Sequence, residues 1–153
     1  MTMYLTLDQA ALARAQKCFD AMVASNPDQE LSHPEQGIYL KRWKRLSADG
    51  SGYYAHKLER SDAESELHDH PFDNTTIMLK GEWLEILPDQ QSRIVRPGDL
   101  IMRRAHDAHR IEITDGPTHS LFFRGPKIRE WGFIAADGTW IHNQEFFRQR
   151  GYF

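Results

Sequence analysis

Three histidines are the residues of this sequence best suited to act together in chemistry. His68 and His70 are separated by a single residue, and His109 follows later in the chain. Side chains two positions apart on a β-strand point to the same face, so both imidazoles can bind one ion. A third imidazole from another strand would complete a site for a divalent metal ion. The spacing therefore predicts a metal centre carried by β-structure.

The elements that must position these histidines are predicted to be almost entirely β-strands. Short runs rich in β-forming residues alternate with turn residues from about position 38 to 141, which is typical of a sandwich or barrel. The predicted strands are Ile38–Leu46, Tyr53–Glu59, Glu66–His70, Thr75–Lys80, Glu82–Leu87, Ser92–Val95, Asp99–Arg104, His109–Ile113, Ser120–Phe123 and Trp131–Ala135.

One helix is predicted before the strands, over residues 6–24. Thr6 and Gln9 have the spacing of a capping box, and apolar residues then recur with a helical period as far as Val23. We expect this helix and the barrel over residues 38–141 to form a single domain spanning residues 1–153.

Composition narrows the range of partners. The chain has 153 residues, with 19 Lys and Arg against 22 Asp and Glu, for a formal net charge of −3. That balance gives no general attraction to nucleic acid or to anionic membranes, and no apolar run is long enough to span a bilayer. Cys18 is the only cysteine, so no intrachain disulfide can form. Together with the lack of a signal-peptide pattern, this favours the cytoplasm.

The histidine pair belongs to a recognisable motif. With its following residues it resembles the first motif of the cupins, which is His-any-His, then Glu, then Gly. His68, His70 and Gly81 match this motif, whereas Asn74 or Thr75 stands where the glutamate would be. Cupins are small barrels that usually hold one metal ion between two such motifs. The resemblance implies an all-β, cupin-type double-stranded β-helix (jelly-roll) barrel with an N-terminal helix.

The second cupin motif is matched less completely. Gly98 and His109 stand at the expected separation, while Arg104 and His106 replace the motif's proline and second glycine. His106 is a candidate acid or base close to the metal, with a loop residue at the barrel mouth as the alternative. Five further segments look like a group of small uncharacterised cupins of bacteria and their phages: 39–43, 68–74, 103–105, 108–112 and 129–133.

The missing glutamate shapes the chemistry that the resemblance implies. Three neutral imidazoles leave the full +2 charge of the ion and leave open positions for substrate. Such a site is similar to those of the three-histidine thiol and β-diketone dioxygenases, which bind Fe(II) and a chelating substrate. Fe(II) is therefore the expected ion, with Zn, Ni and Mn as alternatives. Asp73 is a candidate carboxylate ligand, which would make the site more like a two-histidine, one-carboxylate triad, and a turn-capping role is its alternative.

Two arginines near the second motif bear on the substrate. Arg103 and Arg104 are expected to point to opposite faces of a strand, so one of them should enter the barrel. A guanidinium beside a metal ion favours an anionic substrate between them. The alternative is a salt bridge with Glu82, Glu85 or Glu112.

These observations lead to a functional hypothesis with two alternatives. The first interpretation is an Fe(II) dioxygenase that acts on a small, chelating and anionic metabolite. The second keeps the metal as a Lewis acid for isomerase, lyase or hydrolase chemistry. The third is a cupin that binds a ligand without catalysis. Because cupins commonly pair through edge strands, we also expect a homodimer, with the aromatic C-terminal tail docked on the barrel or placed in the subunit contact.

Overall fold

The computed structural model describes all 153 residues, which form eleven strands and two α-helices. In chain order they are β1 (Met3–Thr6), α1 (Gln9–Met22), β2 (Gln29–His33), β3 (Gly37–Leu46), β4 (Gly52–Leu58), β5 (Leu67–His68), β6 (Asn74–Ile86), β7 (Ser92–Val95), β8 (Asp99–Arg103), β9 (Arg110–Arg124), β10 (Gly132–Ile134), β11 (Trp140–His142) and α2 (Asn143–Gln149).

A large antiparallel sheet forms most of the barrel. Its strands follow the order β1-β8-β6-β9-β4-β3-β2, and β7 pairs with the second half of β6. Strands β6 and β9 are long and pair along almost their whole length, with register shifts around Gly81. A second sheet, β11-β10-β5, is smaller, and its residues line a cavity together with residues of the first sheet. The two sheets together enclose the interior that the histidines face.

Alternation along the strands of the large sheet separates its two faces. Trp43, Ala55, Leu121 and Ile77 are consecutive cross-strand partners on neighbouring strands, and all four are buried in one apolar cluster. Helix α1 contributes Phe19 and two other apolar side chains to this cluster, so the helix covers the outer face of the sheet. The opposite face is left free to line the barrel interior.

A second apolar cluster fills one end of the barrel interior. Its buried members are Leu40, Leu58, Met78, Trp83, Val95 and Ile101. These side chains come from both halves of the large sheet, and they close that end against water. The remaining part of the interior contains the polar residues described below.

The predicted all-β barrel with an N-terminal helix is confirmed, with differences at the boundaries. The helix begins later than expected because Thr6 pairs with Asp99 as the last residue of β1. The N-cap is Asp8, whose carboxylate accepts a hydrogen bond from the Ala11 amide at 2.8 Å.

Two pairs of predicted strands are in fact single strands. The predicted strands 75–80 and 82–87 both lie in β6 except for Leu87, and the predicted strands 109–113 and 120–123 both lie in β9 except for His109. The two long strands continue because they pair through the intervening turn-type residues. Strands β1, β2 and β11 and helix α2 were not predicted. No helix has the length and apolar character needed to cross a membrane.

The close pairing of β6 and β9 gives a stability prediction at Gly81. This glycine has a φ of +83°, and a Cβ there would lie 2.5 Å from the Asp115 carbonyl oxygen. Gly138 has a similar φ of +87° but nothing within 4 Å of its Cβ position. We expect Gly138→Ala to lower the free energy of unfolding by about 1–2 kcal/mol through backbone strain alone. Gly81→Ala should cost about 1–3 kcal/mol more because of the clash, as measured by urea denaturation. Equal losses in the two variants would contradict this account.

Candidate metal centre

Backbone pairing brings the first and third histidines together. The His68 amide donates to the His109 carbonyl at 2.9 Å, and the His109 amide donates to the His68 carbonyl at 3.0 Å. The two residues are therefore directly opposite each other in an antiparallel bridge, where side chains on the same face lie close together. The segment that carries His70 is held in place by the His70 amide, which donates a hydrogen bond to the Ala105 carbonyl at 2.9 Å.

The three imidazoles converge on one point. Their ring centroids are separated by 5.3 Å for His68 and His70, 4.8 Å for His68 and His109, and 5.0 Å for His70 and His109. One nitrogen from each ring lies within 4.8 Å of the others. The three rings are therefore close enough together to be candidate ligands of one ion.

Asp69 explains why the two first-motif histidines face the interior. Its side chain points to the opposite side of the chain, where it is 3% exposed and accepts hydrogen bonds from the Gly132 amide and the Trp140 indole at 2.8 and 2.9 Å. Arg129 also forms an ion pair with it at 2.8 Å. This network fixes the backbone at position 69, and strand alternation then directs His68 and His70 inward.

A buried carboxylate lies behind the third histidine. Glu85 on β6 is fully buried, and its Oε1 lies 2.6 Å from His109 Nδ1. The same oxygen accepts from Arg103 Nε at 2.8 Å, and Arg103 also contacts Thr76 Oγ1 at 3.2 Å. A carboxylate on Nδ1 fixes the tautomer and ring orientation, and it leaves Nε2 of His109 free to bind an ion.

The ionisation states suit metal binding. Burial alone would raise the pKa of Glu85, but Arg103 and His109 outweigh it and lower that pKa to about 2. Burial lowers the pKa of His68 to about 4, with smaller effects of Asp62, His109 and Arg103. Burial, followed by the other two histidines, also lowers the pKa of His70 well below its usual value. Both first-motif imidazoles are therefore neutral near pH 7, with a lone pair available to a metal.

These residues fit a divalent ion. The donor set is three imidazoles, which suits Fe, Zn, Cu and Ni. His70 Nδ1 is buried and has no hydrogen-bond partner in the protein, so the ring is not committed to another contact. His68, His70 and His109 are thus the residues that could hold a metal ion.

The histidines open onto a cavity of about 650 Å³ between the two sheets. Aromatic side chains form much of its wall, and the ring of Phe122 lies 6.4 Å from that of His70. A cavity of this size accommodates a small organic molecule. The site can therefore present a metal ion and a small substrate to each other.

The C-terminal segment closes one side of this cavity. Phe146 of α2 stacks on Phe133 at a centroid distance of 3.9 Å. Beyond the helix, the Tyr152 hydroxyl donates to Glu64 Oε1 at 3.0 Å, and Arg150 pairs with Glu64 Oε2 at 3.1 Å. The aromatic tail is thus docked on the barrel, which is one of its two expected placements.

Solved structures with the same architecture identify the fold. No protein-family model matches the chain, and no curated protein matches it. KdgF from a Halomonas species aligns over 66% of this chain and 89% of its own, with 17% identity and a TM-score of 0.52. The DMSP lyase DddQ from Ruegeria pomeroyi DSS-3 aligns over 78% of this chain and 66% of its own, with 18% identity and a TM-score of 0.52.

A third match is the oxalate decarboxylase of Bacillus subtilis, an enzyme with Mn(II) centres. It aligns over 74% of this chain, with 15% identity and a TM-score of 0.51, and this chain covers 31% of its length. This chain has a cupin fold. The fold expected from the two motifs is therefore confirmed.

Three other predicted site residues lie away from the histidines. Asp73 does not join the metal cluster as a fourth ligand, because its Oδ1 caps the Ala105 amide at 2.8 Å and its other oxygen faces Arg104 at 3.7 Å. Arg104 and His106 are exposed on the outer surface, with His106 73% exposed beside Asp107. The strand β8 ends at Arg103, and the turn that follows directs both side chains outward. Neither is placed to act on a substrate in the cavity.

Arg103 has the inward orientation that was expected for one of the two arginines. Of the two roles considered for it, the structure shows the salt bridge, with Glu85 as the partner. Because its charge is already balanced, Arg103 supports His109 through Glu85 and does not offer an unpaired charge to a ligand.

Sequence reasoning missed the supporting roles of Glu85 and Asp69. A signal for each was present in the strand pattern. Glu85 follows Trp83 by two positions and therefore shares its inward face, where a charged residue requires a partner. Asp69 lies between two inward-facing histidines and must point the other way. The sequence offered Glu85 as one candidate partner of the arginines, but its contact with His109 and the partners of Asp69 depend on long-range contacts that the pattern does not contain.

The Glu85–Arg103 pair gives a prediction with a matched control on the same strand. Glu85→Gln would leave Arg103 buried without a counter-charge, so we expect the free energy of unfolding to fall by about 3–5 kcal/mol. Metal affinity should fall about 10–100-fold because His109 loses its charged orienting partner. Glu82 forms an exposed pair with Arg96 at 3.0 Å, and Glu82→Gln should change stability by less than about 1 kcal/mol. Similar losses in chemical denaturation of the two variants would contradict the proposed role of burial.

The same pair predicts a pH dependence of stability. The pKa of Glu85 is lowered from 4.5 to about 2, so its contribution to folding is complete above pH 4.5 and is lost as the pH falls through about 2. The difference in unfolding free energy between wild type and Glu85→Gln should therefore shrink between pH 4.5 and 2. A difference that stays constant over this range, measured by urea titration, would show that charge is not the cause.

Proposed function

We propose that this cupin is a divalent-metal-dependent enzyme that acts on a small molecule, with Fe(II) as its metal and dioxygen as its co-substrate. The observation that supports the proposal is the donor set, which consists of three imidazoles in the wall of a 650 Å³ cavity and includes no carboxylate. Fe(II) in such a site would supply one-electron chemistry towards dioxygen.

The protein's own residues have separate tasks in this proposal. His68, His70 and His109 hold the ion, and Glu85 keeps the His109 ring in the tautomer that presents Nε2. Three neutral ligands do not reduce the +2 charge of the ion, so the site favours a substrate that brings its own negative charge. The aromatic wall and the docked C-terminal segment limit the access of water to the substrate.

Metal content and nitric oxide binding test the proposal before a substrate has been identified. Anaerobic reconstitution with Fe(II) should give one iron per chain by elemental analysis. Nitric oxide, an analogue of dioxygen, should then bind and give the paramagnetic resonance signal of a ferrous nitrosyl. His109→Ala should lose at least about 90% of the bound iron, because two remaining histidines bind far more weakly. His106→Ala, which changes an exposed histidine, is the matched control and should retain wild-type iron content.

Three outcomes would redirect the proposal. Equal iron in His109→Ala and wild type would refute the site. Zinc or nickel at one per chain, with no nitrosyl signal after iron reconstitution, would favour the Lewis-acid alternative. Absence of any stoichiometric metal in protein purified without chelators would favour a cupin that binds a ligand without catalysis.

We also propose that the enzyme is a homodimer that pairs through β1. This strand is at the edge of the large sheet, and its outward-facing Met3 and Leu5 are 52% and 49% exposed beside the 42% exposed Met102. An open edge with apolar side chains is suited to pairing with a second copy. Light scattering should give twice the chain mass for wild type and the monomer mass for Leu5→Lys. A monomeric wild type would contradict this part of the proposal.

A further inference from the structure

Two arginines in the cavity wall have no carboxylate partner. Arg42 on β3 donates to His56 Nε2 at 2.8 Å and to Gln29 Oε1 at 3.3 Å. Arg124 at the end of β9 donates to the Tyr54 hydroxyl at 3.0 Å and to the Gly125 carbonyl at 3.1 Å. All of these acceptors are uncharged. By contrast, Arg103 in the same cavity pairs with Glu85.

The two guanidinium groups lie around one tyrosine. The Arg42 guanidinium carbon is 4.3 Å from the centroid of the Tyr54 ring, and Arg124 binds the hydroxyl of that ring. Their proximity is reflected in the pKa of Arg42, which is lowered first by burial and also by the charge of Arg124. Two like charges in a partly buried wall repel each other, and this repulsion is relieved when an anion binds between them.

The neighbours of Arg42 leave its charge uncompensated. His56 is buried, and burial followed by the charge of Arg42 lowers the pKa of His56 well below its usual value. The ring is therefore neutral, with the lone pair of Nε2 directed at Arg42.

The acidic residue beside Arg124 is committed elsewhere. The carboxylate of Asp49 is exposed and accepts hydrogen bonds from the amide and hydroxyl of Ser51 at 2.9 and 2.6 Å.

Each arginine keeps donors that are free to bind a ligand. A guanidinium has about five N–H groups. Arg42 and Arg124 each use two of them in the contacts above, which leaves about three on each side chain. Planar arrays of this kind match the two oxygens of a carboxylate.

The sheet register joins this arginine pair to the metal centre. Arg42 is paired with His56 across β3 and β4, and Tyr54 is paired with Phe122 across β4 and β9. The ring of Phe122 stacks 5.3 Å from that of His56 and lies 6.4 Å from that of His70. A continuous aromatic surface therefore runs from the histidine cluster to the arginines along one wall of the cavity.

We propose that Arg42, together with Arg124, binds the carboxylate group of a small organic acid whose other end lies over Phe122 and reaches the three histidines. The assignment of the far end rests on the proposed function, whereas the carboxylate site itself does not. This proposal assigns the binding of an anion to Arg42 and Arg124, whereas the sequence suggested Arg103 or Arg104 for that role.

A carboxylate fits this wall better than a phosphate. The donors are the planar guanidinium groups and the Tyr54 hydroxyl, and the surroundings are aromatic. Phosphate sites usually add a helix N-terminus or a run of backbone amides, and neither flanks Arg42, which lies in the middle of a strand whose amides pair with neighbouring strands. The apolar surface over Phe122 further favours an acid with an aromatic or alkyl body.

Binding to chelator-treated protein tests the inference independently of the metal. Benzoate, its neutral analogue benzamide, and phenyl phosphate are titrated by calorimetry into metal-free wild type. We expect benzoate to bind at least about tenfold more tightly than benzamide, because a tenfold ratio of dissociation constants corresponds to the free energy of about one charge-assisted hydrogen bond. Arg42→Gln should remove this preference while leaving benzamide binding unchanged, and Arg124→Gln should reduce it. Arg104→Gln, which changes an exposed arginine on the outer surface, should behave as wild type.

The outcomes separate this inference from the proposed function. Equal affinities of wild type for benzoate and benzamide, or an unchanged preference in Arg42→Gln, would overturn the carboxylate site. Tighter binding of phenyl phosphate than of benzoate would overturn the choice of carboxylate. If Arg42→Gln does not fold, the carboxylate site is still tested by Arg124→Gln and by the comparison of the ligands on wild type. Iron content and the nitrosyl signal of Arg124→Gln should match wild type, because neither arginine contacts the histidine cluster.

Discussion

The site depends on one buried carboxylate that is shared by two partners. Glu85 Oε1 meets both Arg103 and His109, and no part of the Glu85 side chain is exposed. Burying the charge of Glu85 or of Arg103 alone would cost several kcal/mol, so each of these two residues requires the other in this interior. Because Glu85 is also the contact that orients His109, the requirement to neutralise Arg103 and the requirement to present a metal ligand are met by the same atom.

The barrel interior is divided between stability and function. One end is filled by an apolar cluster around Met78 and Ile101, both of which are fully buried. The other end holds the histidines, the Glu85–Arg103 pair and a cavity, none of which contributes the packing that an apolar core would provide. Helix α1 offsets part of this loss by covering the outer face of the sheet, where Phe19 packs in the apolar cluster that contains Trp43 and Ala55.

The parts of the fold that sequence predicts well are those set by local periodicity. The two-residue repeat located most strands, and the His-any-His spacing placed His68 and His70 on one face. The prediction failed where tertiary pairing overrides a local turn signal. Gly81 marked a turn by composition, yet β6 continues through it because β9 pairs along both halves.

Polar partners were harder to predict than elements. Arg103 and Arg104 are adjacent in sequence and chemically identical, and only the end of β8 between them makes one buried and the other exposed. Arg42 was not singled out as a site residue, because an arginine on a strand is usually solvated. Its significance comes from the absence of a counter-charge, which depends on what every neighbouring strand contributes. That information is contained only in the tertiary structure.

The loss of the motif glutamate and the presence of Glu85 are physically linked. Asn74, one of the two residues that stand where that glutamate would be, is the cross-strand partner of Arg103, and its side-chain oxygen lies 3.4 Å from the Arg103 guanidinium. A glutamate at position 74 would compete with Glu85 for Arg103 and would place two carboxylates in the same desolvated space, where like charges disfavour ionisation. With Asn74, the arginine keeps a single carboxylate and the three histidines remain the only donors. In the proposed function, the negative charge that balances a divalent ion then comes from the cavity side, where we propose that Arg42 and Arg124 bind the acid.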